Sequence, residues 1–142
     1  MTPGSPLRMD AGDPVVLAQR YRAYNDMCNA HRFDQLGEFV DDHVEVNGRV
    51  QGLQDYRRGL EDVVEAFPDY RWDLQHLLVD GSWVAAHFTD TGHHRGTWRG
   101  IEPTGRAVQT QEFAMYRFAD DRIVEVWVTA DNLSVSDQLR RT

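Results

Sequence analysis

The chain has 142 residues, a formal net charge of -8 and 15 basic residues, every one of them arginine. With no lysine there is no lysine Schiff base and no phosphate-binding loop closing on Gly-Lys-Ser/Thr. The acidic balance argues against general nucleic-acid binding, which needs clustered positive charge.

The length suits one domain with a sizeable core. Cys28 is the single cysteine, so an internal disulfide or thiolate metal cage is out of reach, which suits a reducing cytoplasm. No apolar run approaches the roughly 18 residues of a membrane span. Residues 1–12 carry Pro, Gly and Ser without an apolar stretch and read as a flexible tail, not a signal peptide. Residues 13–142 are then the domain.

Asp13-Pro14 is a helix start, an N-cap acid before a proline at the first helical position. Leu17, Tyr21, Tyr24 and Cys28 repeat at helical spacing, so the first helix runs from Pro14 to about Ala30. Phe33 to Val40 reads as a short second helix with Phe33, Leu36, Phe39 and Val40 inward. Val44 to Val46 is extended and Asn47-Gly48 turns it. Leu53, Tyr56, Leu60, Val63 and Phe67 form one stripe, a third helix that Pro68 ends.

The period then becomes alternating. Arg71 to Val79 sets Trp72, Leu74, His76 and Leu78 on one face. Asp80-Gly81 is a hairpin signal, and Ser82 to Thr91 is the returning strand. Gly92 to Gly105 is a connection with a short strand near Thr97-Trp98. Arg106 to Phe118 and Arg122 to Ala130 are long strands joined at Asp120-Asp121. Asn132 to Thr142 ends in a short helical turn.

Helices first and antiparallel strands second is an α+β pattern. A curved sheet wrapped around the helices leaves a pocket between them. Tyr21, Tyr24, Trp98 and Trp127 are able to wall a flat ligand, though core packing is the ordinary role of each. Asn25, beside the first helix's apolar stripe, either reaches the pocket or faces solvent. Gln109 and Gln111 share one face of their strand and Glu112 takes the other; the inward member is a hydrogen-bonding group or a second acid. His93 and His94 are neighbours on opposite faces, so only one lines a pocket. His87, His93 and His94 lack a His-x-His pair or a carboxylate at ligand spacing, which argues against a metal.

Phe67-Pro68-Asp69, Thr91-Gly92-His93-His94-Arg95-Gly96, Gly100-Ile101-Glu102-Pro103-Thr104-Gly105-Arg106, Tyr116-Arg117-Phe118, Ile123-Val124-Glu125-Val126-Trp127, Asp131 and Gln138-Leu139 occur in that order. This ordered set resembles the SnoaL-like polyketide cyclase family, of the nuclear transport factor 2-like cone fold. The family's usual Gly-Thr-His is Gly92-His93-His94 here, and its Asp-Gly turn is Asp120-Asp121.

The resemblance implies an enzyme that performs an intramolecular aldol condensation on a small polycyclic carbonyl compound. An aspartate takes and returns the proton, with neither metal nor cofactor. The matching residues are Asp131 as the catalytic aspartate and His94 as its histidine. Tyr24, Asn25, Trp98, Gln111 and Trp127 are the candidate substrate-binding residues. Asp131 follows an apolar strand, which would raise its pKa; an acid there also reads as a helix cap. Hydrolysis or hydroxylation in the same pocket, or ligand binding without catalysis, are the other functions this fold admits. Apolar residues at both parities of the last two strands point to a homodimer, with no nucleic-acid or membrane partner.

Overall fold

The computed structural model describes residues 13–141. The tail expected at 1–12 lies outside the described residues.

Helix α1, Pro14–Asn29, starts as its sequence dictates: the Asp13 side chain accepts hydrogen bonds from the Val15 and Val16 amides, with Pro14 at the first position. Its buried face carries Leu17, Tyr21, Tyr24, Asn25, Met27 and Cys28. A 3-10 helix follows at Phe33–Glu38, shorter than the predicted Phe33–Val40. Val40 instead opens strand β1, Val40–Val46. The four inward residues of that stretch are nonetheless buried, because a 3-10 turn running into a strand also brings them to the core. Strand β2 is the two-residue Arg49–Val50, across the Asn47-Gly48 turn, and α2 is Leu53–Ala66. Strands β3, Arg71–Asp80, and β4, Trp83–His93, form the Asp80-Gly81 hairpin. Strands β5, Ala107–Ala119, and β6, Arg122–Ala130, form the second long hairpin, and α3 is Asn132–Arg140. The strand expected near Thr97-Trp98 is one bridge, Trp98 to Ile101.

The six strands form one curved, unclosed sheet in the order β2-β1-β6-β5-β4-β3. Its neighbours are antiparallel except β1 and β6, which run parallel. Alternation on β4 and β5 is clean: Val84, Ala86, Phe88 and Asp90, with Val108, Thr110, Ala114, Tyr116 and Phe118, face inward. Strand β3 departs from the expected single phase. Its register shifts between Leu74 and His76. The shift inserts one residue, as a bulge does, and exchanges the faces beyond it. Trp72 and Leu74 point inward, then Leu77 and Val79 do, while His76 and Leu78 turn outward. Leu78 is 71% exposed as a result.

The main core lies between α1 and the concave face of the sheet. A second cluster, Ala66, Phe67, Val108, Val135 and Leu139, ties α3 and the end of α2 to the far end of β5. Gly96 anchors the long β4–β5 connection there. Its amide and that of Arg95 both donate to the Ala66 carbonyl, and a Cβ at Gly96 would collide with the Glu65 carbonyl oxygen.

Candidate active site

The concave sheet face and the two long helices enclose a cavity of about 170 Å³. Helix α1 supplies Tyr21, Tyr24, Asn25 and Cys28; α2 supplies Tyr56, Gly59 and Leu60; the sheet supplies Trp72, Phe88, Glu112, Tyr116 and Val126. The helical spacing that buries the α1 stripe is what brings its tyrosines to one wall. The Tyr24 and Tyr56 hydroxyls meet at 2.6 Å and join the two helices across the cavity. A dry cavity of about 150 Å³ admits one benzene ring. This one is close to that size and takes one ring, or one end of a larger ring system.

Glu112 is the one carboxyl group on the cavity lining among the described residues. Behind it stands Asp90, fully buried, on the neighbouring strand: Glu112 pairs with Phe88 and Asp90 with Thr110, so the two inward carboxyls are diagonal neighbours across β4 and β5. The Tyr70 hydroxyl donates to Asp90 Oδ2 at 3.0 Å. Asp90 Oδ1 is buried with no hydrogen-bond partner. A buried carboxylate oxygen left bare is costly, and a proton on Glu112 supplies the missing bond. Burial pushes the Glu112 carboxyl up to about 10, with the neighbouring Asp90 carboxylate adding to the rise. Burial also raises Asp90, opposed by the bonds from Glu112 and Tyr70 and by His87. Two adjacent buried carboxyls cannot both ionise cheaply, so the pair keeps one proton, held on Glu112, at neutral pH. The neighbouring groups stay neutral: burial pushes Cys28 up to about 12 and raises Tyr21, Tyr24, Tyr56, Tyr70 and Tyr116.

A second concavity, about 790 Å³, lies on the outer face of the sheet. Leu78, Phe113, Met115 and Trp127 line it and are 46–71% exposed. His76 Nδ1 and His87 Nδ1 are 2.9 Å apart there, and His87 Nε2 reaches Gln111 Oε1 at 2.6 Å.

The profile of the SnoaL-like polyketide cyclases matches residues 18–139. The structure of a SnoaL-like polyketide cyclase from Agrobacterium tumefaciens is 33% identical, with a TM-score of 0.77 over 93% of this chain and 99% of that one. The chain belongs to the SnoaL-like polyketide cyclase family. At the level of fold, IdmH from Streptomyces antibioticus (22% identity, TM-score 0.78, 86% of this chain and 96% of that one) is similar. So is TsrD from Streptomyces laurentii (19%, 0.79, 87% and 94%). No curated protein matches the chain.

Set in this SnoaL-like fold, the residues singled out in the sequence fall in different places. Tyr24 and Asn25 line the inner cavity. Asn25 Nδ2 donates to the Trp72 carbonyl at 3.5 Å. Trp127 lines the outer concavity, its indole N–H donating to Glu125. Gln111 is on the outer face too, bound to His87, and the other parity carries Glu112 inward. Trp98 packs edge-on to Phe67 in the second cluster, outside both cavities.

Asp131 is exposed and caps α3, accepting from the Ser134 amide at 3.0 Å. His94 is fully buried against Phe67. Its Nδ1 accepts from the Thr104 amide at 3.1 Å, which leaves the proton on Nε2, a buried atom with no partner. Neither Asp131 nor His94 lines either cavity. The three histidines also part: His87 is on the outer face, His93 binds Asp69 at 2.6 Å, and His94 turns inward. Asp90 and Tyr70 were missed. The signal for Asp90 was present, since it shares inward parity with Phe88 on β4.

Proposed function

We propose that the inner cavity is the active site and that the protein catalyses acid–base chemistry on a carbonyl compound there, an intramolecular aldol condensation of a polyketide-like substrate. The observation that carries this reading is one carboxyl group in an aromatic-walled cavity: Glu112, on the wall of a space that holds about one ring. A larger polycycle enters by one end. The chemistry asks for a group that takes a proton from an activated carbon and returns it to an oxygen, and a desolvated carboxyl suits that task. Family membership supports the reaction class. The resemblance gives the base role to Asp131 with His94 beside it. The geometry supports Glu112 instead, because the Asp131 carboxylate is engaged at the helix terminus and lines no cavity.

The test is exchange of the α-hydrogens of 2-tetralone, a bicyclic ketone, in D₂O, followed by NMR. The wild-type chain is expected to accelerate exchange over buffer, Glu112→Gln to lose about a hundredfold of that acceleration, and Asp131→Asn to keep it. Asparagine caps a helix as well as aspartate does, so a loss in Asp131→Asn returns the base role to Asp131. No acceleration by the wild-type chain defeats the reading.

The outer sheet face supports a homodimer. Its exposed Leu78, Phe113, Met115 and Trp127 form one apolar surface, of the kind that marks an interface.

A further inference from the structure

We propose that Asp90 is the proton store of this site and works only through Glu112, with Tyr70 setting its strength. The proposal rests on the reading of the inner cavity as the place of carbonyl chemistry. Asp90 is fully buried and absent from the cavity wall, so it meets no substrate. Glu112 meets both: its carboxyl lines the cavity, and the β4–β5 register sets it diagonally beside Asp90 on the same inward face. Asp90 Oδ1 is buried without a hydrogen-bond partner and so is open to a proton, while Oδ2 is held by the Tyr70 hydroxyl. The chain of contacts runs cavity, Glu112, Asp90, Tyr70, with one mobile proton between the two carboxyls.

A carboxyl group has two oxygens, and this arrangement uses both. The α C–H bond of the substrate breaks, its electron pair stays on carbon as the enolate, and its proton bonds to the cavity-side oxygen of Glu112. The proton that Glu112 already held crosses to Asp90. The enolate carbon then bonds to the acceptor carbonyl carbon, whose π pair moves to oxygen. That alkoxide takes a proton from Glu112, and Asp90 returns its own. The site ends as it began, with one proton on the pair.

The charged and titratable groups around the pair leave Asp90 to set the acid limb of the rate. Asp90 faces Tyr70 and Glu112, with His87 acting from the other face of the sheet; Glu112 faces Tyr21 and Cys28 on α1, Tyr56 on α2 and Tyr116 on its own strand. The tyrosines and Cys28 are neutral over the working range. His87 favours the charged form of Asp90 and is left unchanged in every variant. Tyr70 donates to the charged form of Asp90, so its removal makes Asp90 easier to protonate.

The experiment is the pH profile of 2-tetralone exchange in the full chain between about pH 5 and 9. Tyr70→Phe is expected to fold as the wild type does and to move the acid limb to higher pH. Asp90→Asn is expected to lose about tenfold or more near pH 6 and also to move the limb upward, because Glu112 must then ionise to act alone. An unmoved limb in both variants, whatever the rate, makes Asp90 and Tyr70 structural and overturns the proposal. This outcome is distinct from failure of the cavity reading. If Asp90→Asn is wild-type in rate and limb while Glu112→Gln is inactive, the cavity stands and the relay falls. If Glu112→Gln retains exchange, the cavity reading itself has failed.

Discussion

A carboxyl group buried beside another costs stability when it ionises, and Glu112 carries that cost. Its folded pKa is raised from 4.5 to about 10. The folded chain therefore holds a proton that the unfolded chain has lost across this interval. The sign follows: the Glu112 contribution is fully present below about 4.5 and is lost as pH rises towards 10. Denaturant titrations of the wild type and Glu112→Gln at several pH values are expected to show the wild type losing ground as pH rises, by at most about 1.4 kcal/mol per pH unit. A difference that does not change with pH would mean that Glu112 ionises freely in the fold. His94 is a different kind of buried residue. Its Nδ1 holds the Thr104 amide and so pins the β4–β5 connection. His94→Ala removes that acceptor and empties a fully buried site against Phe67, and a loss of about 1–3 kcal/mol is expected in the same measurement.

At the scale of elements, the tight β5–β6 turn is built from two residues that pay for their conformation. Asp120 and Asp121 have φ of 50° and 65°, the left-handed region that glycine enters without steric cost. Asp121→Gly keeps the Asp121 carbonyl that accepts from Arg20 and relieves strain of about 1 kcal/mol. Its melting temperature is expected to rise by about 2–8 °C; no rise would place the strain elsewhere. Gly96 is the opposite case. Its missing Cβ lets the connection lie against the backbone of α2, so Gly96→Ala must push the two apart and lower the melting temperature. The bulge at residues 74–76 of β3 matters for function as well as shape. It rotates His76 and Leu78 to the outer face while Trp72 stays on the cavity wall.

For the whole molecule, the sheet divides the chemistry in two. Its concave face is closed by helices and holds the acid pair. Its other face is left open, with Phe113, Met115 and Trp127 about half exposed. No helix is long and apolar enough to cross a membrane among the described residues. Light scattering is expected to give twice the 16.4 kDa chain mass, and Phe113→Arg to shift the mass towards one chain without lowering the melting temperature. A single-chain mass for the wild type at working concentration would refute the dimer.

The absence of lysine, the helix stripes, the hairpin turns and the α+β order were legible in the sequence, because helical and strand periods are local properties. So was the inward direction of Tyr24, which lies on the α1 stripe; for Asn25, beside the stripe, the sequence left pocket and solvent both open. The chain order of the motifs was enough to find the family. What only the tertiary structure decided was which parity of β5 faces inward, and with it the choice of Glu112 over Gln111. It also revealed the β3 bulge, which no alternation pattern announces. The pairing of Asp90 with Glu112 joins positions 22 residues apart, on adjacent strands of a register that the sequence does not print. A carboxylate's chemistry depends on its solvent and its neighbours. Those are properties of the assembled cavity, and among sixteen aspartates only the fold separates Asp131, at the cap of α3, from Asp90, which sits behind Glu112.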